Sequence, residues 1–589
     1  MSVDIGWIGL PGPRPTEAEH GPKAALLASA ADAGLPVPPG FVLPDGYDGQ
    51  IGPLLAALGS GTGRHLDDAA APLLLAARPS TSARLGAGLP AVLNIGVTAV
   101  TMPALIEQLG ERTAYDLHRR AIHSFGIGAL GIEGEEFEYA LHDAMRLAGC
   151  DSEGDLAIPQ LRALAETCFA LIDEEGMGPY PERAENQLGI ALGAMRRNWS
   201  APRSVTRRQA LGDDPNAPLA IIVQSMAVGL GSEPCGAGFA DFRDEATGKP
   251  RLVGRYLPQA QGDEVMMGMR TPHVLTHKER TSMGLHDLSL EEMMPGITDR
   301  LVEAGMRIES AIGDAVSLDF VLEDGALWIV EIRPARRSAR AAVEIAVSLA
   351  ERGVRTREQA LLAIDPAHLE EQLHPAIDPN AQRSPIGQGL PASPGAASGP
   401  LAFTPDDAEA AASRGEAAIL ALVETSPEDI RGMHAARAVL TMRGGMTSHA
   451  AVVARGLGKP CVVGAKDLQL DAAECVLSTS AGERLRAGDT VTVDGTTGQI
   501  LAGAVGVIMP EATKAFTTLL DWADDVRRLG VRANADTSVD AETARGFGAG
   551  GIGLCRTEHM FFQRGRIMPM REMILAETTE ERRRALAEL

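Results

Sequence analysis

Apolar residues in this chain change their spacing several times, and each change marks a different kind of element. Near-continuous apolar stretches read as strands, LAIIVQSMAVG (219–229) and ALWIVEIRP (326–334) being the clearest; residues 103–127 and 155–175 read as helices. Residues 1–340 therefore predict a mixed α/β domain with a helical insertion at about 103–200. Residues 341–385 start as a helix and end in LHPAIDPNAQRSP, the proline-spaced composition of a hinge linker. From 386 to 508, short strands separated by Gly and Asp turns predict a compact β/α unit. A helix is expected at about 510–528. GVRANAD, DAETARGFG and GIGLCRTE then read as strand, helix and strand, the opening of a parallel βα fold, followed by two helical runs. At 589 residues the chain is too long for one core, and three or four domains are expected in an α/β and α+β multidomain architecture.

Composition narrows the function classes. The chain is 45% hydrophobic and 22% charged, ordinary for a soluble globular protein. A net charge of -24 argues against nucleic acid or anionic membranes as main partners. Phosphate substrates are still open to it, because clusters such as Arg333, Arg336, Arg337 and Arg340 reverse the field locally. Six cysteines without a C-x-x-C pair speak against a zinc site or a disulfide framework. The first residues lack a signal-peptide pattern, and no apolar run approaches membrane-spanning length, so a cytoplasmic location is expected.

Candidate chemistry concentrates in LTMRGGMTSHAAVVARGLGKPCVVG (440–464). Thr447 and Ser448 precede an apolar run that Gly456, Gly458 and Pro460 stop, so His449 should lie in the first turn of a short helix. Backbone N–H groups there favour a phosphoryl group, and Gly444 and Gly445 permit close approach. A neutral imidazole is a competent nucleophile near pH 7. A single His near a helix start is ordinarily structural, but here its neighbours point to a phosphohistidine carrier.

The stretch resembles the swivelling phosphohistidine domain of the pyruvate phosphate dikinase family among the phosphoenolpyruvate (PEP)-utilising enzymes, and the likeness extends over nearly the whole chain. It implies an ATP-grasp domain at 1–340, a linker at 341–385, a phosphohistidine domain at 386–508 and the start of a PEP/pyruvate-binding TIM barrel at 509–589. His449 matches the phosphorylated residue, and Thr447 one that regulatory kinases of the family phosphorylate. GPKAALLASAADAGLPVPPGF and LLLAARPSTSAR resemble the segments that bind nucleotide phosphate through a Lys and an Arg, here Lys23 and Arg78. SLDFVLEDGALWIVEIRPARR resembles the closing strands of the ATP-grasp domain, which puts Asp319 and Glu331 at the Mg²⁺-side positions and Arg333 at a phosphate contact. Independently of the resemblance, two carboxylates on strands joined by the turn EDGA can converge on one ion. Arg443 and Arg455 flank His449 as candidate phosphoryl contacts, with helix-surface charges the equal alternative.

Several positions depart from the family pattern. Gly21-Pro22-Lys23-Ala24 stands for G-G-K-G, Ser317 for an acid, LGAGLPAV (85–92) for a methionine-rich stretch, and ADFRDEATG (240–248) for F-T-R-N-P-x-T-G, which keeps only Arg243 and Thr247-Gly248. All of them touch nucleotide and phosphate handling.

GVRANADTSVDAETARGFGAGGIGLCRTEHMFF resembles the first two βα units of the barrel, with Arg556 at a PEP-phosphoryl contact. A (β/α)₈ barrel takes about 250 residues, and two strands cannot close one. The expectation is an incomplete piece of a longer enzyme, or a short form needing a barrel-carrying partner; the family's habit suggests a homodimer. The implied reaction converts ATP, phosphate and pyruvate to AMP, diphosphate and PEP, this chain being expected to perform the ATP/histidine half. A PEP synthase or a dikinase with another acceptor shares the histidine. A non-catalytic phosphocarrier with a degenerate kinase domain is the rival from another class.

Overall fold

The computed structural model describes residues 4–83, 89–150, 153–174, 180–231, 234–262, 270–366, 369, 374–378, 381–426, 429–446, 448–471, 474–480, 482–508, 513–557 and 565–589. Residues 1–515 and 516–589 form two compact units.

Two antiparallel five-stranded sheets lead the first unit. β1 (Gly6–Ile8), β2 (Gly40–Leu43), β3 (Leu75–Ser80), β4 (Val92–Ile95) and β5 (Ala220–Ser225) run in the order β1-β2-β5-β3-β4. Ala220 to Gln224 of the central β5 are all buried, so its apolar run is continuous rather than alternating. β6 (Gly236–Arg243), β7 (Pro250–Pro258), β8 (His273–Val274), β9 (Val316–Glu323) and β10 (Ala326–Pro334) run in the order β10-β9-β6-β7-β8. The β9–β10 hairpin turns at Asp324 and Gly325, whose φ values of 48° and 73° match the paired left-handed residues of an Asp-Gly hairpin turn.

Leu318, Phe320 and Leu322 of β9 and Leu327, Ile329 and Ile332 of β10 pack into one core with Leu27 and Leu301. A bulge between Ile329 and Glu331 shifts the parity of β10. Without that extra residue Glu331 would follow Leu327 and Ile329 into the core. With it, Glu331 and Arg333 face away, and Glu331 stands directly opposite Asp319.

Between β4 and β5 the chain is helical, from Met102–Leu109 to Pro202–Ala210. The run expected at 103–127 is two helices, Met102–Leu109 and Glu111–Phe125, separated at Gly110, where φ is 83°. Within the expected linker, the helix Ala339–Glu351 lays Ala341, Ile345 and Leu349 against Ala315 and Ala335. Farther on, Ala376–Ile377 pairs antiparallel with Val507–Ile508.

An eight-stranded mixed sheet follows, in the order Pro385–Gln388, Gln499–Ala502, Thr490–Asp494, Ala396–Ala402, Ile419–Leu422, Ala438–Thr441, Cys461–Val463 and Leu390–Ser393. The strands from Ala396–Ala402 to Cys461–Val463 are parallel. The helix His449–Leu457 buries Ala450, Ala451 and Ala454 against Val439, Cys461 and Val463. Its small residues let the helix lie close to the sheet.

In the second unit, two extended segments meet in parallel at the bridge Ala533–Ile552, with the helix Ser538–Gly546 between them. Ala533 N–H donates to Gly551 O at 3.0 Å, and Gly553 N–H to Ala533 O at 2.8 Å. Leu529, Val539, Phe547, Ile574 and Leu575 are exposed. Among the described residues no helix is long and apolar enough to cross a membrane.

Candidate nucleotide and phosphoryl-transfer sites

Lys23 owes its position to a break in the helix Glu17–Asp32. Gly21 has φ 77° and ψ 163°, a region open essentially to glycine, and Pro22 restarts the helix. The Ser80 hydroxyl bridges the break: it donates to His20 O at 2.6 Å and accepts from Ala24 N–H at 3.2 Å. A Cβ on Gly21 would lie 2.6 Å from that hydroxyl oxygen and 2.7 Å from the Ser80 carbonyl carbon. The kink is thereby tied to the end of β3, the strand that carries Arg78.

Lys23, Arg78, Asp319, Glu331 and Arg333 line one cavity of about 380 Å³. Lys23 Nζ lies 3.1 Å from Glu331 Oε1, and Arg78 donates to the other oxygen of Glu331 and to Val330 O. Arg333 donates to Asp319 Oδ1. Burial works on both carboxylates and on Lys23. It pushes the Asp319 carboxyl up to about 6, the Arg333 guanidinium offsetting only part of the effect. On Glu331 burial is outweighed by Arg78 and Lys23, which hold the carboxyl below its usual range. Burial and the adjacent Arg78 together lower the Lys23 ammonium. Gln224 and Ser225, at the end of β5, and Met226 just after it also line the cavity. Nothing in their residue types marked them as lining residues.

Two hard carboxylate ligands suit Mg²⁺, which commonly takes one or two protein carboxylates and completes its shell with phosphate oxygens and water. Among the described residues no group of three or more His, Cys, Asp or Glu side chains could hold a metal, so phosphate oxygens would have to supply the rest of the shell. The donor set therefore fits a metal that arrives with a polyphosphate.

Of the departing positions, Ser317 is buried opposite Arg333 on β10, and residues 85–88 lie outside the described residues. Arg243 is 3% exposed and forms a two-pronged pair with Glu309 at 2.9 and 3.0 Å, with Arg352 on the same carboxylate at 2.8 Å. It braces the packing of the helices Ile297–Ile312 and Ala339–Glu351 and takes no part in the cavity.

His449 is the first residue of its helix. Ser448 caps it, its hydroxyl accepting from Ala451 N–H at 3.4 Å. The ring is half-buried, and Nδ1 lies 3.4 Å from the Thr425 hydroxyl. Arg455 donates to Ala392 O and Met446 O, both at 2.9 Å, so it holds the backbone of the preceding loop. Arg443 is exposed, and Thr447 lies outside the described residues. Thr425, 24 residues upstream, carries no local signal that would link it to the histidine.

In the second unit, Arg556 N–H donates to Asp536 Oδ1 at 2.6 Å, and its guanidinium lies 3.6 Å from Asp536 Oδ2. Cys555 is a free thiol beside it.

Residues 415–498 match the profile of the PEP-utilising enzyme mobile domain, and residues 510–586 that of the PEP-utilising enzyme PEP-binding domain. The chain is 41% identical over 585 residues to the "Pyruvate, phosphate dikinase" of Rhizobium meliloti (strain 1021), 36% over 588 residues to that of Clostridium symbiosum, and 36% over 583 residues to the chloroplastic "Pyruvate, phosphate dikinase 1" of Arabidopsis thaliana. These alignments cover 97%, 97% and 96% of this chain, which spans 65%, 66% and 59% of those proteins' lengths. With two stretches matching domains of PEP-utilising enzymes and nearly all its length aligned to such proteins, the chain is similar over nearly its whole length to the pyruvate, phosphate dikinase members of that family.

Proposed function

We propose that this chain is a phosphotransferase of the pyruvate phosphate dikinase type, performing the half-reaction that moves a phosphoryl group from ATP to His449. The observation that carries the reading is the cavity: three cationic side chains and two carboxylates, from four separate stretches of sequence, converge on a space of about 380 Å³. Polyphosphate chemistry asks for that composition, because catalysis there is mostly positioning and charge neutralisation. Lys23, Arg78 and Arg333 neutralise the phosphates, and Asp319 and Glu331 hold Mg²⁺. When bound, the metal supplies further neutralisation of the phosphate oxygens. The bonds that now join Lys23 and Arg78 to Glu331, and Arg333 to Asp319, keep these side chains extended over the cavity before nucleotide arrives.

The 1–340 region acts as an ATP-grasp domain, 341–385 as a linker, 386–508 as the swivelling carrier and 509–589 as the start of a TIM barrel. His449 takes the phosphoryl group, with Arg443 and Arg455 beside it. In the full reaction the group passes to pyruvate, where Arg556 contacts PEP; inorganic phosphate is the co-substrate and Thr447 the regulatory position. The chain works in the cytoplasm, as a homodimer or together with a separate barrel-carrying partner.

Calorimetry of ATP with and without Mg²⁺, on the wild type and Lys23→Ala, tests the nucleotide site. Binding that needs Mg²⁺ and weakens at least about tenfold in the variant supports it, one charge-assisted contact being worth that much. No binding to the wild type at millimolar ATP sinks it and favours a carrier loaded by another protein.

A further inference from the structure

The two sheets that enclose the nucleotide cavity are joined by three kinds of contact, and a bound nucleotide would treat each differently. On one side they share an apolar core, in which Ile8 of β1, Val42 of β2 and Ile222 of β5 meet Leu27, Phe320 of β9 and Ile329 of β10. Across the cavity, Glu331 of β10 holds Lys23 and, on β3, Arg78. At the far edge of the first sheet, β4 sends Val92 and Ile95 into a separate core, away from the shared one. The tie at this edge is polar and neutral. Asn94 of β4 donates from Nδ2 to Gln261 Oε1 at 3.0 Å, and Gln261 Nε2 donates back to Asn94 Oδ1 at 2.9 Å. Both side chains are buried.

Each partner is also fixed from behind. Asn94 has a φ of 59°, a left-handed conformation that Asn tolerates better than most residues, and its N–H donates to Met226 Sδ at 2.9 Å. Gln261 lies just past β7, beside Ala260, whose N–H donates to Gly229 O at 3.1 Å. Gln261 lines the nucleotide cavity, as does Leu93 next to Asn94. We infer that Asn94 and Gln261 are positioning residues, a neutral clasp that holds β4 against the segment after β7 and so sets the width of the nucleotide cavity while ligand is bound. The inference rests on the proposed function for its purpose. A carboxylate that takes up Mg²⁺ loosens its bonds to cations, and Lys23 and Arg78 turn to phosphate oxygens, so the ion pairs on Glu331 weaken as ligand enters. A carboxamide pair has no charge to trade with metal or phosphate. Its two buried hydrogen bonds persist and keep the edge closed.

Calorimetry of Mg–ATP and hydrogen exchange of the free protein, both on the full chain, test the clasp with Asn94→Gly, Gln261→Ala and the double variant. Gly removes the side chain without straining the left-handed backbone. Gln261→Met keeps the volume, makes neither bond and carries the same expectation if a truncated variant does not fold. Each single variant should bind Mg–ATP about tenfold more weakly, because opening the edge lowers the share of molecules in the binding-competent form. The double variant should be no weaker than either single one, since a clasp is lost only once. In the free variants exchange should quicken at least about fivefold over 92–96 and 259–262, and stay unchanged at Ile222 and Phe320 in the shared core. Unchanged affinity in the single variants, a double variant weaker by about a hundredfold, or faster exchange in the shared core as well overturns the inference. No binding of Mg–ATP to the wild type at millimolar nucleotide would sink the proposed function. The exchange pattern then decides the clasp by itself, a local change in the variants upholding it and no change overturning it.

Discussion

Replacing Asp319 by Asn should stabilise the free protein, and the gain should depend on pH. Burial raises the Asp319 carboxyl from 3.8 to about 6, so the folded state holds this proton more tightly than the unfolded chain does. Stability from that difference is complete below pH 3.8 and is lost as pH rises through about 6. Two pKa units at 1.36 kcal/mol each make the penalty about 3 kcal/mol at pH 8 and, by the same linkage, about 1.6 kcal/mol at pH 5. Asn keeps the shape without the charge. Urea unfolding of the two proteins, followed by tryptophan fluorescence at pH 5 and pH 8, should show Asp319→Asn ahead at both values, with the lead nearly doubled at pH 8. An Asn variant less stable than wild type at pH 8 would mean that the Arg333 pair outweighs burial, and the charge balance described for the cavity would be wrong. The stability that Asp319 forgoes is expected to return as affinity for a cation, so the same variant should lose Mg²⁺-dependent nucleotide binding.

Gly21→Ala forces a Cβ into a glycine-only conformation and against Ser80. Strain and overlap together should cost about 3 kcal/mol, read from the urea midpoint, and nucleotide affinity should fall with it because Lys23 moves. An unchanged midpoint would show that the kink is not needed. Arg243→Ala strips one partner from a fully buried pair and leaves Glu309 with Arg352 alone. A loss of about 3–5 kcal/mol is expected, with nucleotide binding retained in the folded fraction. If binding vanished while stability held, Arg243 would belong to the phosphate machinery after all.

Legibility in the sequence followed the range of the interaction. ALWIVEIRP and the Asp-Gly turn before it are local signals, and β10 and its hairpin lie where those residues put them. That Asp319 and Glu331 meet follows from the short turn. That Glu331 faces the cavity and not the core depends on the bulge at Val330, which no single residue announces. The helix expected at 103–127 was legible as helix, but its break at Gly110 was not, since an isolated glycine can be tolerated within a helix as well as end one. Ser448 and His449 were readable as cap and first turn because capping is a three-residue pattern. The Thr425 contact, the Ser80 tie to the helix kink and the burial of Arg243 on Glu309 join residues 24, 60 and 66 positions apart, beyond the reach of any local rule.

The measurement that tests the central claim most directly is incubation of the full chain with Mg²⁺, phosphate and ATP labelled at the β-phosphorus, with His449→Asn alongside. The account predicts acid-labile, base-stable label on the wild type and none on the variant. Equal label on both proteins, or none on the wild type under conditions where ATP binds, would contradict it.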